Sequence, residues 1–434
     1  MNAWFEKQFK LSEHGTDVRT EILAGITTFM TMAYIIFVNP GILSATGMPF
    51  GALLVATCLG ASLATFLMAF LANYPFALAP GMGLNAFFAF TVVLGMKIPW
   101  QVALAAIFIE GVIFILLTCT KVREEVVNSI PKTLKIGVSA GIGIFITFIG
   151  LQSSGLVVAN QAVLVGLSPL RSNIGGLLTL AGLLLMITLE ARKVTGGILI
   201  GIVAVTLAGI PLGITKMPEG IISMPPSLAP IFMKMDFSMV AQPAFWVIVL
   251  TFFFVDFFDT VGTLVGVASR ADMLDKEGRL PKASQALMAD AIGTTAGAVL
   301  GTSTVTTFVE SASGVEQGGR TGLTAFTVGV LFLLATFFSP LIAIVPACAT
   351  APALIMVGGY MMMGFKDMDF SDWTEFFPAI IAFFMMPFAY SIAAGIEFGI
   401  VSYVALKLLM GRGKEVNWLL YVLAVLFILN RAFM

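Results

Sequence analysis

Long apolar runs follow one another along almost the whole chain, and this feature restricts the fold more than any other. Windows of about nineteen residues indicate fourteen apolar spans, at 22–44, 50–73, 76–95, 98–120, 136–151, 172–190, 194–212, 243–269, 284–300, 303–319, 322–345, 347–364, 375–390 and 393–410. A further apolar stretch lies at 417–430. Since a membrane-spanning helix needs about 20 apolar residues, the 434-residue chain is predicted to be an all-α polytopic membrane protein.

The composition excludes several other classes of protein. Hydrophobic residues make up 59% of the chain and charged residues only 11%, against roughly 25% charged in soluble domains. The 23 Lys and Arg balance 24 Asp and Glu, so no nucleic-acid partner is predicted, and the expected surroundings are the lipid bilayer. The three cysteines lie far apart inside apolar runs, which predicts neither a disulfide nor a metal site; they are Cys58, Cys119 and Cys348.

The basic residues predict the orientation. With a cytoplasmic N-terminus, eighteen Lys and Arg fall in segments on the inside, and four fall outside, namely Lys97, Arg171, Lys216 and Lys234. Because cytoplasmic segments carry the excess of positive charge, we expect a multi-pass protein of the cell membrane with its N-terminus inside.

The spacing of the spans predicts an inverted repeat. A connection rich in Pro, Gly and Met separates two groups of seven spans, and an odd number gives the two groups opposite membrane orientations. The breaks at Asn85 and Glu310 are 225 residues apart, and a Thr-Phe segment recurs at a similar offset, at Thr28 and Thr251. The predicted units are a first repeat at 1–212, an extracellular or periplasmic connection at 213–242, a second repeat at 243–416 and an extra C-terminal segment at 417–434.

Two spans contain residues that interrupt a helix. The third span carries Pro80, Gly81 and Gly83 just before Asn85, and irregular backbone is tolerated in a bilayer only where protein or a water-filled cavity satisfies it. The tenth span contains most of the hydroxyl-rich, β-branched stretch from Gly301 to Gly314, which favours a strand over the start of a helix. We expect an extended piece followed by a half-helix in each, with both half-helix N-termini directed at one midplane site. The alternative for either segment alone is a kinked packing helix.

Three carboxylates lie inside predicted spans: Asp256 and Asp259 in the eighth, and Glu310 in the tenth. A charged residue at a helix centre costs about 2.5 to 3.5 kcal/mol on insertion scales, so such residues usually face a cavity and serve function. No basic residue lies within the same spans, which makes these groups candidates for proton coupling. Asp256 and Asp259 share a helix face, so one is expected to bind substrate, with Asp259 favoured, and the other to accept a structural bond.

The remaining titratable residues carry less information. Glu110 and Glu397 are also predicted to be intramembrane, and a structural role is expected for both. The one histidine, His14, lies in the polar N-terminal tail, so the carboxylates must handle any protons. An intramembrane aspartic protease would need two aspartates on separate elements, whereas Asp256 and Asp259 share one helix, and no enzyme is predicted.

Three segments resemble those of a known family. They are Ala79-Pro80-Gly81-Met82-Gly83-Leu84-Asn85-Ala86-Phe87-Phe88, the run from Asp256 to Leu264, and the run from Glu310 to Gly322. They resemble the AzgA-type purine permeases, the hypoxanthine, adenine and guanine branch of the nucleobase-cation symporters. The resemblance implies fourteen spans in two inverted seven-span repeats, with a core domain of spans 1–4 and 8–11 and a gate domain of spans 5–7 and 12–14.

The same resemblance implies the function and its residues. It implies import of purine bases by proton symport, through an elevator or core-against-gate movement, with no cofactor and with a homodimer formed through the gate domain; sodium remains an alternative coupling ion. The residues implied for substrate binding are Asn85, Asp259, which lies three residues before Gly262, Phe308, as the stacking aromatic, and Glu310. Asp259, Glu310 and Asp256 are the residues expected for proton coupling. The apolar stretch 417–430 comes after the fourteen spans that the resemblance implies, so the side of the membrane on which the C-terminus lies is not predicted.

The chemistry of a purine agrees with this set of residues. Carboxylates accept from its N–H groups, an amide or half-helix N–H donates to its carbonyl or ring nitrogens, and an aromatic side chain covers its flat face. The alternative is an anion carrier or channel of similar fold, such as a sulfate-type transporter. An anion site should present a basic residue or an uncompensated helix N-terminus, whereas this site presents two acids.

Overall fold

The computed structural model describes residues 2–118, 131–218, 220–270, 273, 275 and 280–433. Several residues used in the sequence analysis lie outside these ranges, namely Cys119, Lys121, Arg123, Lys276 and Arg279. Cys58 and Cys348 are buried free thiols.

The described chain is mostly helical. Its helices are α1 (Asn2–Phe9), α2 (Val18–Met32), α3 (Ile35–Ser44), α4 (Phe50–Leu67), α5 (Met82–Ala86), α6 (Trp100–Thr118), α7 (Lys132–Ser153), α8 (Ile174–Ala191), α9 (Gly197–Gly209), α10 (Pro243–Arg270), α11 (Ala283–Leu300), α12 (Ser311–Glu316), α13 (Gly322–Ala335), α14 (Ser339–Ala343), α15 (Ala347–Met362), α16 (Trp373–Phe388), α17 (Ile392–Leu409) and α18 (Trp418–Phe433). Helices α4 and α5 continue as π-helical segments, Met68–Ala72 and Phe87–Gly95. The strands are β1 (Leu78–Pro80), β2 (Val157–Asn160), β3 (Leu164–Leu167) and β4 (Val305–Thr307).

Each of the fourteen predicted spans overlaps at least one helix, and the third and tenth each combine a strand with a helix. Within the described ranges, eight helical segments are long and apolar enough to cross a membrane, and five further apolar helices are shorter. The first span is interrupted at Ala33 and Tyr34, between α2 and α3. The prediction of an all-α polytopic membrane protein is confirmed.

The two interrupted spans pair with each other. Strands β1 and β4 run antiparallel, with Leu78 opposite Thr307 and Pro80 opposite Val305. The ladder extends past both ends of the strands, since Gly81 N donates to Thr304 O at 3.0 Å and Phe308 N donates to Ala77 O at 2.9 Å. In this way the backbone groups that the broken helices leave free bond to each other inside the protein. The predicted extended pieces in spans 3 and 10 are confirmed.

The half-helices that follow these strands differ in length. In span 3, α5 and its π-helical continuation reach from Met82 to Gly95. In span 10, α12 has only six residues, from Ser311 to Glu316. The second half-helix is therefore about one and a half turns long, and Gly318, at φ +100°, lies just beyond its end.

The helices pack in two groups. The first bundle contains α2–α6 and α10–α14 together with β1 and β4, and the second bundle contains α7–α9 and α15–α17. Within the second bundle α7 and α15 approach at two glycines: a Cβ on Gly143 would lie 2.5 Å from Gly358 O, and one on Gly358 would lie 2.4 Å from Gly143 O. Small residues at such crossings let two helix backbones come close enough for good packing in a membrane.

The terminal helix α18 runs back along α17 and also contacts α10. At one end of α17, the buried Lys407 Nζ lies 2.7 Å from Glu415 Oε2, just before α18 begins. Hydrogen bonds from Arg412 and Lys407 lower the pKa of Glu415 to about 2, so this carboxylate stays charged at neutral pH. Near the other end, Arg431 Nε lies 2.8 Å from Glu397 Oε2. Because Lys407 and Glu397 are about 15 Å apart along the helix, α18 lies beside α17 rather than across its end.

A buried acid at the start of α2 caps a helix of the other repeat. Glu21 is fully buried. Its Oε2 accepts hydrogen bonds from Thr324 Oγ1 at 2.6 Å and Thr324 N at 3.1 Å, and its Oε1 accepts from Arg320 N at 2.8 Å. Thr324 belongs to the first turn of α13, where a helix leaves its N–H groups without partners, and Arg320 lies just before the N-cap residue Thr321. One carboxylate therefore fastens spans 1 and 11 together.

We expect Glu21→Ala to destabilise the protein, because it leaves these buried N–H groups unsatisfied. The loss should be about 2 kcal/mol or more in free energy of unfolding, measured as a lower denaturation midpoint of the detergent-solubilised protein. Glu13→Ala is the matched control, since the exposed pair of Glu13 with Lys10 contributes at most about 1 kcal/mol. Equal midpoints for the two variants would contradict the capping role.

Candidate functional site

Glu310 lies where β4 passes into α12, at the N-cap position of that helix. Tyr34, at the interruption between α2 and α3, donates a hydrogen bond from its hydroxyl to Glu310 Oε1 at 2.6 Å. The Tyr34 ring is almost completely buried, whereas Glu310 keeps part of its surface exposed. The sequence gives no sign of this role of Tyr34, because the contact joins residues 276 positions apart.

Phe308 lies two residues before Glu310 and is 5% exposed. Its ring centroid is 6.4 Å from that of Tyr34, with the two rings tilted by 40°. The backbone of Phe308 is fixed by its hydrogen bond to Ala77 O in the strand ladder. Two aromatic rings therefore stand beside the Glu310 carboxylate, and both are positioned by the chain breaks of spans 1 and 10.

Asp259 approaches the same place from α10. A Cβ added to Gly81, at the end of β1, would lie 3.7 Å from Asp259 Oδ2, so this carboxylate stands beside the turn between β1 and α5. Asp259 is half-buried, and it is close enough to Glu310 for the two carboxylates to repel each other. The structure thus brings Asp259, Glu310, Phe308 and Tyr34 together beside the strand pair.

Asn85 lies in α5 and is fully buried. Its Oδ1 accepts a hydrogen bond from Ser303 Oγ, which joins the third span to the tenth. Among the described residues, its Nδ2 has no hydrogen-bond partner. An unpaired buried amide donor is uncommon in a folded protein, and it leaves one donor next to the strand pair for another group.

Asp256 has different surroundings from Asp259. It is fully buried, as are Glu110 of α6 and Asp290 of α11. Thr260 Oγ1 lies 3.3 Å from Asp256 Oδ1 and 3.1 Å from both oxygens of Asp290, and Asp256 hydrogen-bonds with Glu110. We call Glu110, Asp256 and Asp290 the buried acid cluster.

Threonines of the tenth span connect the buried acid cluster to β4. Thr306 Oγ1 lies 2.7 Å from Thr260 Oγ1, and Thr304 Oγ1 lies 3.4 Å from Glu110 Oε2. Asp256 and Glu110 were predicted to be intramembrane acids, whereas Asp290 was not. The available signal was its position inside the predicted span 284–300, where an acid is as costly as in the eighth span.

The two groups of acids differ in what they can do. The partly exposed pair Asp259 and Glu310 offers hydrogen-bond acceptors beside aromatic rings, which suits a flat heterocycle with N–H donors. The buried acid cluster is enclosed, and a hydrogen bond between two carboxyl groups requires a proton on one of them. Among the described residues, no group of three His, Cys, Asp or Glu side chains is arranged to hold a metal ion.

The chain is similar to known permeases over nearly its whole length. The permease family model Xan_ur_permease matches residues 19–398. The adenine permease AdeP of Escherichia coli is 44% identical over 428 residues, covering 99% of this chain and 96% of that protein. The guanine/hypoxanthine permease PbuG of Bacillus subtilis is 45% identical over 437 residues, covering 98% of this chain and 99% of that protein.

Solved structures show the same fold at much lower identity. The transmembrane domain of the cyanobacterial bicarbonate transporter BicA matches with a TM-score of 0.66 and 16% identity, covering 87% of this chain and 97% of that one. The murine anion transporter Slc26a9 matches with a TM-score of 0.62 and 11% identity, covering 90% of this chain and 68% of that one. The predicted inverted-repeat architecture agrees with these neighbours.

The strand register gives a direct test of how the two broken spans meet. Leu78 N bonds to Thr65 Oγ1, so Leu78 and Thr307 face each other without a mutual hydrogen bond. At such pairs the Cα atoms are about 4.5 Å apart, within reach of a disulfide. In a background without native cysteines, Leu78→Cys with Thr307→Cys should cross-link on oxidation.

A protease site is placed in the connection 213–242, and the cleaved protein is run on a non-reducing gel. A cross-linked protein keeps its two halves together and migrates as a single full-length band. Leu78→Cys with Thr306→Cys is the control, because successive strand side chains point to opposite faces and this pair should stay apart. Equal cross-linking of both pairs would contradict the register.

Proposed function

The chain belongs to the Xan_ur_permease family of permeases and is not an enzyme, and we propose that it imports purine nucleobases, namely adenine, guanine and hypoxanthine. The observation that carries the proposal is the meeting of Asp259, Glu310 and Phe308 beside the paired strands, together with relatives that are adenine and guanine/hypoxanthine permeases. The protein lies in the cell membrane with its N-terminus in the cytoplasm.

Each side of a purine has a counterpart in the site. The Asp259 and Glu310 carboxylates accept hydrogen bonds from the ring N–H groups. The Nδ2 of Asn85, which has no hydrogen-bond partner among the described residues, donates to a carbonyl or ring nitrogen. The Phe308 ring stacks on the flat face of the base. The Tyr34 hydroxyl holds Glu310 in position, so that its second oxygen is directed to the substrate.

The coupling ion is a proton, carried by carboxylates. Asp259 and Glu310 repel each other, and uptake of a proton by one of them removes that repulsion when the neutral base binds. Asp256 is the third carboxylate assigned to the coupling, since it lies three residues before Asp259 on α10 and shares a hydrogen bond with Glu110. Moving one charge inward across 100 mV yields about 2.3 kcal/mol, which supports roughly fifty-fold accumulation.

Transport proceeds by movement of one bundle against the other. All residues proposed to contact the base belong to the first bundle, which corresponds to the core domain. The second bundle, which corresponds to the gate domain, faces the site through Tyr360 of α15, a residue close enough to Glu310 to interact with it electrostatically. Alternating access then requires the first bundle, held together by β1 and β4, to shift as one unit past the second.

The fold alone would equally suit an anion carrier, since the solved neighbours are a bicarbonate transporter and an anion transporter. The charges of the site argue against this function. Two carboxylates stand where an anion would bind, and among the described residues no Lys or Arg forms an ion pair with either of them. A neutral heterocycle suits such a site better than an anion does.

Replacing Glu310 tests the substrate site. Glu310→Gln keeps the shape of the side chain but exchanges an acceptor oxygen for an N–H₂ donor, so we expect uptake of labelled hypoxanthine to fall by about ten- to a hundredfold. Uptake is measured in cells deficient in their own purine transport, with surface amounts compared by labelling. The exposed Glu13→Gln is the matched control, and normal uptake by Glu310→Gln would overturn the site assignment.

Proton coupling has a separate test. A protonophore should abolish accumulation of hypoxanthine by the wild type, while removal of sodium should leave it unchanged. In Asp256→Asn we expect accumulation to be lost while exchange of internal for external hypoxanthine persists, because exchange needs no net movement of protons. Accumulation that survives the protonophore would exclude proton symport and leave the proposed substrate in place.

A further inference from the structure

A cavity of about 270 Å³ lies at the junction of the first bundle, the second bundle and the terminal helix. The π-helical segment Phe87–Gly95 and the beginning of α10 form one side of it, residues 389–397 form another, and Arg431 of α18 closes it. The connection 213–242 leads directly into α10, so the cavity lies towards the face of the protein that carries this connection.

The cavity is lined by polar groups that the substrate site does not use. Glu397 is 4% exposed, and its Oε2 accepts from Arg431 Nε at 2.8 Å. Thr91 is 6% exposed, and among the described residues its hydroxyl has no hydrogen-bond partner. Thr251 adds a second hydroxyl to the lining. An unpaired hydroxyl in a buried polar cavity costs free energy unless a ligand or water bonds to it.

The rest of the lining is mostly apolar, and its two aromatic side chains are held in position by their neighbours. The Tyr390 ring makes a T-shaped contact with Phe145 at 5.2 Å between centroids, and its hydroxyl donates to Gln152 Oε1 at 2.9 Å. Phe87 adds a second aromatic side chain, in T-shaped contact with Phe252 at 4.8 Å. The cavity therefore combines aromatic walls with one carboxylate, one guanidinium and free hydroxyl capacity.

These dimensions and groups suit one class of ligand. Pockets for drug-sized molecules begin at roughly 300 Å³, so this cavity accepts a smaller molecule of one or two fused rings. Glu397 accepts from a ring N–H, and the guanidinium of Arg431, which has five N–H donors, can donate to a neighbouring carbonyl or ring nitrogen. A heterocycle with a donor and an acceptor side by side on one edge matches this pair.

The cavity also lies in line with the substrate site. Thr91 follows Asn85 by six residues in the same interrupted span, and Thr251 precedes Asp259 by eight residues, about 12 Å, on α10. The same two segments thus line both places. Resting on the proposed function, we propose that this cavity is a second nucleobase-binding site, in which Glu397, Arg431 and Thr91 hold a purine between the connection face and the first site.

Binding stoichiometry tests the proposal. Purified wild type in detergent, titrated with radiolabelled hypoxanthine by equilibrium dialysis, should bind two equivalents per chain. Glu310→Gln should lose the first equivalent and keep the second. Thr91→Val, which replaces the unpaired hydroxyl by a methyl group of similar size, should weaken the second equivalent by about three- to tenfold and leave the first unchanged.

Matched variants separate binding from folding. Thr188→Val changes an exposed threonine whose hydroxyl bonds only to its own helix backbone, and it should bind as the wild type does. Arg431→Lys keeps the ion pair with Glu397 but loses the planar donor set; it should keep the stability of the protein and weaken the second equivalent. If Arg431→Lys keeps the stability of the protein and binds the second equivalent of hypoxanthine as tightly as the wild type, the ion pair only fastens α18. This result would overturn the proposal.

The possible failures are distinguishable. If wild type takes up hypoxanthine but binds a single equivalent, and Glu310→Gln binds none, the second site does not exist and the proposed function stands. If wild type neither binds nor transports hypoxanthine, the proposed function fails, and the second site fails with it. Two equivalents, with the second sensitive to Thr91→Val, support both.

Discussion

The pairing of β1 with β4 is the interaction on which the rest of the structure depends. A membrane interior supplies no water to backbone groups, so a span can be interrupted only where protein satisfies them. Here two interrupted spans satisfy each other, through the bonds of Gly81 to Thr304 and of Phe308 to Ala77. The same pairing positions Glu310 and Asn85 at opposite ends of the ladder, each at the start of a half-helix. The architecture and the site thus have one physical origin.

The acids of the first bundle form two groups beside this strand pair. Asp259 and Glu310 are partly exposed. Asp256 and its neighbours are fully buried and bonded to threonines of α10 and β4. Asp256 and Asp259, three residues apart on α10, therefore differ in burial and in hydrogen-bond partners. The reason is that α10 contacts both β4 and α6. Their spacing in the sequence would not by itself have revealed this difference.

Much of the fold could be predicted from the sequence, because it depends on local properties. Hydropathy located every span, Pro80 and Gly81 marked the interruption, and the β-branched run before Phe308 favoured a strand. The missing parts are contacts between distant residues: Tyr34 with Glu310, Glu21 with α13, and Arg431 with Glu397. No pattern within a window of twenty residues contains such pairs. The first two follow from how the two repeats interlock, and the third follows from how α18 packs along α17.

The strand pair also has a consequence for how the protein is made. β1 is synthesised about 225 residues before its partner β4. At about 5–20 residues per second, the interrupted third span waits roughly 10–45 seconds in the membrane or the translocon before its backbone groups can bond. During that time it must be shielded by water, by a chaperone or by a temporary helical conformation. A ribosome that stalls within the second repeat would leave this segment unpaired, and such a chain would be an early substrate for membrane quality-control proteases.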